Sequence, residues 1–178
     1  TNTVAENAIA ELEGAEAALL FSSGMTAITL SILALVKSGD HIVAQEDIYG
    51  GTTKFLTSWL PNLGVDTTFV ETANYDAHVK AIRPNTKLVY VESPTNPTLK
   101  IIDFRKVASI AREHGVITMI DGTFGTPINQ RPTESGIDLV VHSGTKYLAG
   151  HSDLICGAIA GRRDLIDSIH ATRTTLGG

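Results

Sequence analysis

The sequence has 178 residues, a formal net charge of −5 and 43% hydrophobic residues, which is typical of one soluble domain with a core of ordinary size. Scattered lysines and arginines exclude a basic nucleic-acid surface, and the longest nearly apolar run, residues 27–36, is too short to cross a bilayer. The one cysteine, Cys156, excludes an internal disulfide framework and is predicted to be a small buried residue in a strand.

The cytoplasm is the expected location, because the chain has no visible signal peptide. No metal site is predicted. The chain opens on Thr1 and not on Met, and it closes on Gly178, so both ends are expected to continue in a longer protein.

The chain begins with a predicted helix that is capped by Asn2 or Thr3 and runs to Glu13, and a strand over 17–21 follows. The turn Ser22-Ser23-Gly24-Met25 then opens a helix over residues 26–37. A strand, a glycine turn and a helix in this order direct free backbone N–H groups and the positive end of the helix dipole outward, which suits phosphate. An ordinary helix cap accounts for the same turn equally well.

The rest of the chain alternates strands with helices. Strands are predicted at 41–44, 65–70, 87–91, 116–120, 137–141 and 155–160, and helices at 55–63, 75–82, 104–114 and 162–173. In the first of these helices, Phe55, Leu56, Trp59 and Leu60 are expected to share an apolar face. Short connections between alternating elements predict an α/β fold: a doubly wound, mainly parallel sheet with helices on both faces.

Two loops that leave strand ends carry candidate ligand-binding residues. Tyr49 lies between a strand and a helix, where its ring either stacks on a planar ligand or packs under the loop. Asn96 lies between Pro94 and Pro97, which hold the backbone rigid, although asparagine is also an ordinary turn residue.

Asp121 and Lys146 follow two further strands. Asp121 ends an apolar strand, where a carboxylate needs a cationic or hydrogen-bonding partner. Lys146 follows Ser143 and Thr145, whose hydroxyls suit an anion. It is either an ordinary solvated lysine or a partly desolvated amine able to attack a carbonyl and form a Schiff base; its small and apolar neighbours favour the second interpretation.

Gly24, Tyr49, Asn96, Asp121 and Lys146 all follow strands, so they are expected at one edge of the sheet, where open α/β sheets bind ligands. An amine, an anion site at a helix N-terminus, a stacking ring and a carboxylate together match the needs of pyridoxal phosphate. The sequence therefore predicts a pyridoxal phosphate site.

The chain resembles the Cys/Met metabolism (transsulfuration) family of fold-type I pyridoxal phosphate enzymes. Motifs similar to that family's occur in its order: Ser22-Ser23-Gly24-Met25, Tyr49-Gly50-Gly51-Thr52, Ser93-Pro94-Thr95-Asn96-Pro97, Asp121-Gly122-Thr123-Phe124, His142-Ser143-Gly144-Thr145-Lys146-Tyr147 and Gly150-His151-Ser152-Asp153. The resemblance implies that residues 1–178 are the cofactor-binding large domain.

The resemblance also implies roles for the candidate residues. Lys146 would be the Schiff-base lysine, Asp121 would pair with the ring nitrogen, Tyr49 would stack on the ring and Asn96 would approach the 3′-oxygen. The phosphate would be held by Gly24, Met25, Ser143 and Thr145. Catalytic roles fall to Lys146, Tyr49 and Asp121.

The sequence departs from the family's pattern in a few places. Gly122 and Gly144 stand where Asn and Ala are frequent, and Gly51 stands where methionine γ-lyases carry cysteine, which argues against that activity. The family's upstream Tyr and Arg, which reach the partner subunit's phosphate, and its C-terminal domain, which grips the substrate carboxylate, fall outside the sequence.

The expected function is γ-elimination or γ-replacement on sulfur amino acids or homoserine esters, as in cystathionine γ-synthases and γ-lyases, by a homo-oligomeric enzyme with a small amino-acid substrate. A catalytically inert cofactor-binding fragment is the alternative, and the 178 residues alone are expected to bind the cofactor weakly. A nucleotide-binding module is disfavoured, since no G-x-G-x-x-G follows a strand.

Overall fold

Seven strands form one sheet in the computed structural model, which describes residues 2–178. The strands are β1 (Ala17–Phe21), β2 (His41–Gln45), β3 (Asp66–Val70), β4 (Thr86–Glu92), β5 (Ile117–Asp121), β6 (Leu139–His142) and β7 (Gly157–Gly161). The α-helices are α1 (Asn2–Glu13), α2 (Gly24–Leu35), α3 (Gly50–Lys54), α4 (Tyr75–Ala81), α5 (Phe104–Glu113), α6 (Thr126–Asn129) and α7 (Arg163–Leu176).

The sheet has the strand order β1-β7-β6-β5-β4-β2-β3. Neighbouring strands from β3 to β6 are parallel, whereas β7 runs antiparallel to both β6 and β1. The fold is thus mixed α/β with a mostly parallel sheet, as expected. Parallel pairing brings the carboxyl ends of β2, β4, β5 and β6 to one edge, and Glu92 lies beside Asp121 in the register of β4 and β5.

The core lies in two layers, one on each face of the sheet. Side chains alternate between the layers along each strand: in β4, Leu88 and Tyr90 face the layer under α2 and α7, whereas Val89 and Val91 face the layer under α5. Because successive side chains along a strand point to opposite faces, both faces of the sheet are apolar and both are covered by helices, which is the doubly wound arrangement. Across residues 2–178, no helix is both long and apolar enough to cross a membrane.

Several local predictions are wrong. Residues 55–63 do not form a regular α-helix, because a π-helical turn (Phe55–Trp59) and a 3-10 turn (Leu60–Leu63) follow α3, and Trp59 is 64% exposed. Helix α2 begins at Gly24 and not at residue 26. Cys156 lies just before β7 and is half-buried.

Candidate active site

A cavity of about 320 Å³ opens at the carboxyl edge of the parallel strands. Its lining contains every residue predicted for the site, together with several that were not predicted. The lining residues are Ser23, Gly24, Met25, Ile28, Tyr49, Glu92, Pro94, Asn96, Asp121, Thr123, Phe124, Ser143, Thr145 and Lys146. The fold therefore brings together residues that are far apart in the sequence.

One end of the cavity is formed by the first turn of α2. Ser23 caps this helix, and its hydroxyl accepts a hydrogen bond from the Thr26 N–H at 3.1 Å. The N–H groups of Gly24 and Met25 have no intrahelical acceptor, because they belong to the first helical turn. Free N–H groups at the positive end of a 12-residue helix form a site for an anion.

Ser143 and Thr145 meet α2 at this end. A Cβ atom at position 24 would lie 2.8 Å from Ser143 Cβ, so Gly24 permits the contact. The Thr145 hydroxyl donates to the Cys156 carbonyl oxygen at 3.1 Å and accepts from the Cys156 N–H at 3.0 Å. It must turn to donate to a phosphate, whereas the Ser143 hydroxyl makes no hydrogen bond to other residues within 2–178 and is free to donate.

Asp121 ends β5 and also lines the cavity, with 6% of its surface exposed. Its Oδ1 accepts a hydrogen bond from the Thr123 N–H at 2.9 Å, which is the partner that a buried carboxylate requires. Burial raises the pKa of Asp121, while the Thr123 hydrogen bonds and, to a lesser extent, the His142 ring oppose this shift. A cation bound beside Asp121 would favour its ionised form.

Glu92 is a second buried carboxyl group that sequence reasoning missed. It ends β4, is 5% exposed, and lies beside Asp121 in the sheet register. Burial first, and then the charge of Asp121, raise the pKa of Glu92 to about 8. A carboxylate at the end of an apolar strand, the signal that identified Asp121, is equally present at Glu92, but the predicted strand over residues 87–91 stops one residue short of it.

Tyr49 lies at the rim of the cavity just before α3, and 46% of its surface is exposed. The ring is therefore not packed under its loop. A Cβ atom at Gly51 would come within 2.5 Å of Tyr49 Cε1 and 3.1 Å of Met25 Sδ, so the tyrosine ring lies over Gly51 beside Met25. This leaves ring surface available to a planar ligand in the cavity.

Lys146 lies in a turn after β6. Its N–H donates to the Ser143 carbonyl oxygen at 3.0 Å, and its carbonyl oxygen accepts from the Gly150 N–H at 2.8 Å. The side chain is exposed, so the partial desolvation predicted for this amine is wrong for the chain as described. The turn nevertheless places Lys146 in the same cavity lining as the first turn of α2 and the two carboxyl groups.

Thr123 and His142 support the site from behind, and sequence reasoning assigned neither a role. The Thr123 hydroxyl accepts from the Ser143 N–H at 2.8 Å, so the residue whose N–H holds Asp121 also fixes the turn after β6. The buried His142 Nε2 forms a short hydrogen bond to Oε1 of the buried Glu13. This bond ties the end of β6 to α1.

The fold and the cavity together define a class of protein: a pyridoxal phosphate enzyme with a mostly parallel α/β sheet. The model of the family described as Cys/Met metabolism PLP-dependent enzyme matches residues 1–178, and the chain belongs to this family. The resemblance stated from the motifs is therefore confirmed.

Curated relatives include a cystathionine γ-lyase of Bacillus subtilis, which is 46% identical over all of this chain and 47% of its own length. An L-methionine γ-lyase of Porphyromonas gingivalis is 49% identical over 94% of this chain and 42% of its own length. A probable cystathionine γ-synthase of Herpetosiphon aurantiacus is 42% identical over 92% of this chain and 51% of its own length. The chain thus spans about half the length of these relatives.

Pyridoxal phosphate is the cofactor of the family, and the residues present fit it. The open first turn of α2, with Gly24 against Ser143, suits the phosphate. The buried Asp121 suits the protonated ring nitrogen, since a cation there offsets the cost of burying the carboxylate. An exposed tyrosine ring and a lysine in the same lining complete the set.

Proposed function

We propose that residues 1–178 are the pyridoxal-phosphate-binding large domain of a transsulfuration enzyme that carries out γ-elimination or γ-replacement on sulfur amino acids or homoserine esters. The observation that carries the proposal is the convergence of Lys146, Asp121 and the first turn of α2 on one cavity. The names of the relatives, a γ-lyase and a probable γ-synthase of cystathionine among them, support the substrate class.

The proposed roles follow from where each group lies. The α2 N–H groups and the Ser143 hydroxyl hold the phosphate, and Tyr49 and Asn96 hold the ring. Asp121 keeps a proton on the ring nitrogen. When bound, pyridoxal phosphate withdraws electrons from the substrate α-carbon and acidifies its C–H bond. Lys146 Nζ anchors the cofactor and moves protons between substrate carbons.

Gly51 supports a cystathionine-type activity over methionine γ-elimination. Any side chain at this position would meet the Tyr49 ring, so the ring position at the cavity rim depends on the absence of a Cβ atom. The proposal keeps the homo-oligomer expected from the resemblance. Lys146 is the one cationic side chain that residues 2–178 contribute to the cavity lining, and a second subunit would supply the further cation that a phosphate needs.

Borohydride reduction of the full-length protein with bound pyridoxal phosphate, followed by peptide mapping, tests the assignment of Lys146. The label is expected on Lys146, and Lys146→Ala is expected to lose both the label and turnover of cystathionine. Lys87→Ala, a change of an exposed lysine at the opposite end of β4, is the matched control and should keep both. A label on another lysine would overturn the assignment.

Turnover by the full-length protein separates the proposed activities from the inert fragment. Cystathionine cleavage, cystathionine synthesis from a homoserine ester and cysteine, and methionine cleavage are measured side by side. We expect one of the first two to exceed the third. No turnover of any of these substrates, with pyridoxal phosphate bound to Lys146, would favour a catalytically inert cofactor-binding protein.

A further inference from the structure

Glu92 joins two loops that both contribute residues to the cavity lining. Its Oε2 accepts a hydrogen bond from the Tyr49 N–H at 2.8 Å, and its Oε1 accepts one from the Asn96 N–H at 2.8 Å. Tyr49 follows β2 and Asn96 follows β4, so one carboxyl group fixes the backbone of both loops at the residues that face the cavity.

The surroundings hold Glu92 itself in place. Its backbone belongs to β4 between two neighbouring strands, β2 and β5. Its carbonyl oxygen accepts a hydrogen bond from the buried Gln45 Nε2 at 3.0 Å, and the same amide group donates to the Asp47 carbonyl oxygen at 2.8 Å. Because the backbone of Glu92 is constrained in this way, its carboxyl group determines where the two loops lie, and the loops do not determine where the carboxyl group lies.

We propose that Glu92 is a positioning residue whose two carboxyl oxygens fix Tyr49 and Asn96 relative to Asp121, and so set the position of the cofactor ring. The proposal rests on the proposed function. Two hydrogen bonds to separate N–H groups require two acceptor oxygens, which glutamate has and glutamine lacks. In a Glu92→Gln protein the amide NH₂ would face one of the two N–H donors, and that loop would lose its anchor.

The charge of Asp121 couples this arrangement to the cofactor. Asp121 is the neighbour whose charge, after burial itself, disfavours the ionised form of Glu92. A protonated ring nitrogen paired with Asp121 would reduce that repulsion, and the ionised carboxylate is the form that accepts both hydrogen bonds most strongly. Cofactor binding and anchoring of the two loops should therefore support each other.

The first experiment compares Glu92→Gln with Glu46→Gln in the full-length protein. Glu46 lies at the end of the adjacent β2 and is exposed, and its carboxylate makes no hydrogen bond to another residue within 2–178. We expect Glu92→Gln to raise the dissociation constant for pyridoxal phosphate about tenfold. The visible circular dichroism of the bound cofactor, which reports ring orientation, should decrease. Glu46→Gln should change neither.

A cofactor affinity and a dichroism spectrum of Glu92→Gln that match the unsubstituted protein would overturn the proposal. They would leave the proposed function intact as long as Lys146 binds the cofactor. Absence of cofactor binding in the unsubstituted protein would contradict the proposed function instead. The two failures are therefore distinguishable.

Amide hydrogen exchange in the unsubstituted protein tests the same proposal without relying on a variant that folds. The Tyr49 and Asn96 amides lie outside helices and strands, and their protection depends on Glu92. Both are expected to exchange more slowly than free amides, and to slow further together when pyridoxal phosphate is added. Exchange of either amide at its free rate, with and without the cofactor, would overturn the proposal.

Discussion

The two ends of the cavity are proposed to bind opposite charges, and they would do so by different physical means. The phosphate end consists of backbone N–H groups, small residues and the Ser143 hydroxyl, and it depends on the close approach of Gly24 to the turn after β6. The ring end contains two buried carboxyl groups, Glu92 and Asp121, on adjacent strands. The phosphate end depends on close packing, whereas the ring end buries two carboxyl groups, which costs stability that the proposed pairing with the ring nitrogen would explain.

The ring end should show the largest effect when its charge is removed. Asp121→Asn keeps the size of the side chain and the acceptor for the Thr123 N–H, but it cannot hold the ring proton by charge. We expect pyridoxal phosphate to bind and turnover to fall by about a hundredfold or more. Absorbance titration and steady-state kinetics of the full-length protein measure the two quantities.

Asp167→Asn, a change of an exposed residue in α7, is the control for this prediction and should behave like the unsubstituted protein. Near-normal turnover by Asp121→Asn would mean that Asp121 has a structural role and that the contrast between the two ends is wrong.

The phosphate end should be sensitive to added side-chain volume. Gly24→Ala places a Cβ atom 2.8 Å from Ser143 Cβ and 2.9 Å from Ser143 Cα, a backbone atom that cannot simply rotate away. Overpacking of this kind costs roughly 1–3 kcal/mol, so cofactor affinity is expected to fall by about tenfold. Equilibrium binding to the full-length protein checks this value.

Gly50→Ala provides the comparison, because a Cβ atom at Gly50 would meet no atom of residues 2–178 within 4 Å, and Gly50 begins α3 directly after Tyr49 at the cavity rim. Equal affinities for the two variants would show that the contact between α2 and Ser143 does not shape the phosphate end.

The pH dependence of stability gives the smallest effect. The folded chain raises the pKa of Glu92 from 4.5 to about 8, so between these values the folded state holds a proton that the unfolded chain has released. The free energy of unfolding therefore decreases as the pH rises through this window. Without cofactor, the decrease between pH 6 and pH 7 is expected to exceed that of Glu92→Gln by about 1 kcal/mol.

Urea unfolding of the cofactor-free full-length protein and of Glu92→Gln at several pH values tests this expectation. Asp121, whose pKa is also raised by burial, contributes a dependence of the same sign to both proteins, so the difference between them reports the titration of Glu92 together with its coupling to Asp121. Parallel stability curves for the two proteins would show that Glu92 is ionised already at low pH.

Much of the fold follows from the sequence, because β-branched and apolar runs bounded by glycine identify the strands. The reversed direction of β7 was missed although a signal exists: no helix was predicted between residues 142 and 155, and a parallel strand needs a long crossover, usually a helix. Trp59 was misplaced because helical periodicity was assumed through a segment that forms π and 3-10 turns.

The candidate site was predicted from the expectation that residues following parallel strands meet at one edge of the sheet, and the predicted residues do line one cavity. It could not reveal Glu92 as an anchor, because Glu92 acts through the N–H groups of residues 49 and 96, and those partners depend on how two loops meet in space. The exposure of Lys146 could not be predicted from the sequence either, since neighbours in the sequence do not determine which atoms cover a side chain in the fold.

The pairing of β1 with β7 has a consequence for the order in which the molecule can be built. Among residues 2–178, β1 lies at the end of the sheet and pairs only with β7, so Ala17 meets Gly161 about 140 residues later in the chain. Because α2 directly follows β1, the phosphate end cannot be completed on a ribosome until β7 has emerged. Stable capture of the cofactor would thus be a late event in biogenesis, and a nascent chain halted before β7 would expose β1 as an unpaired edge.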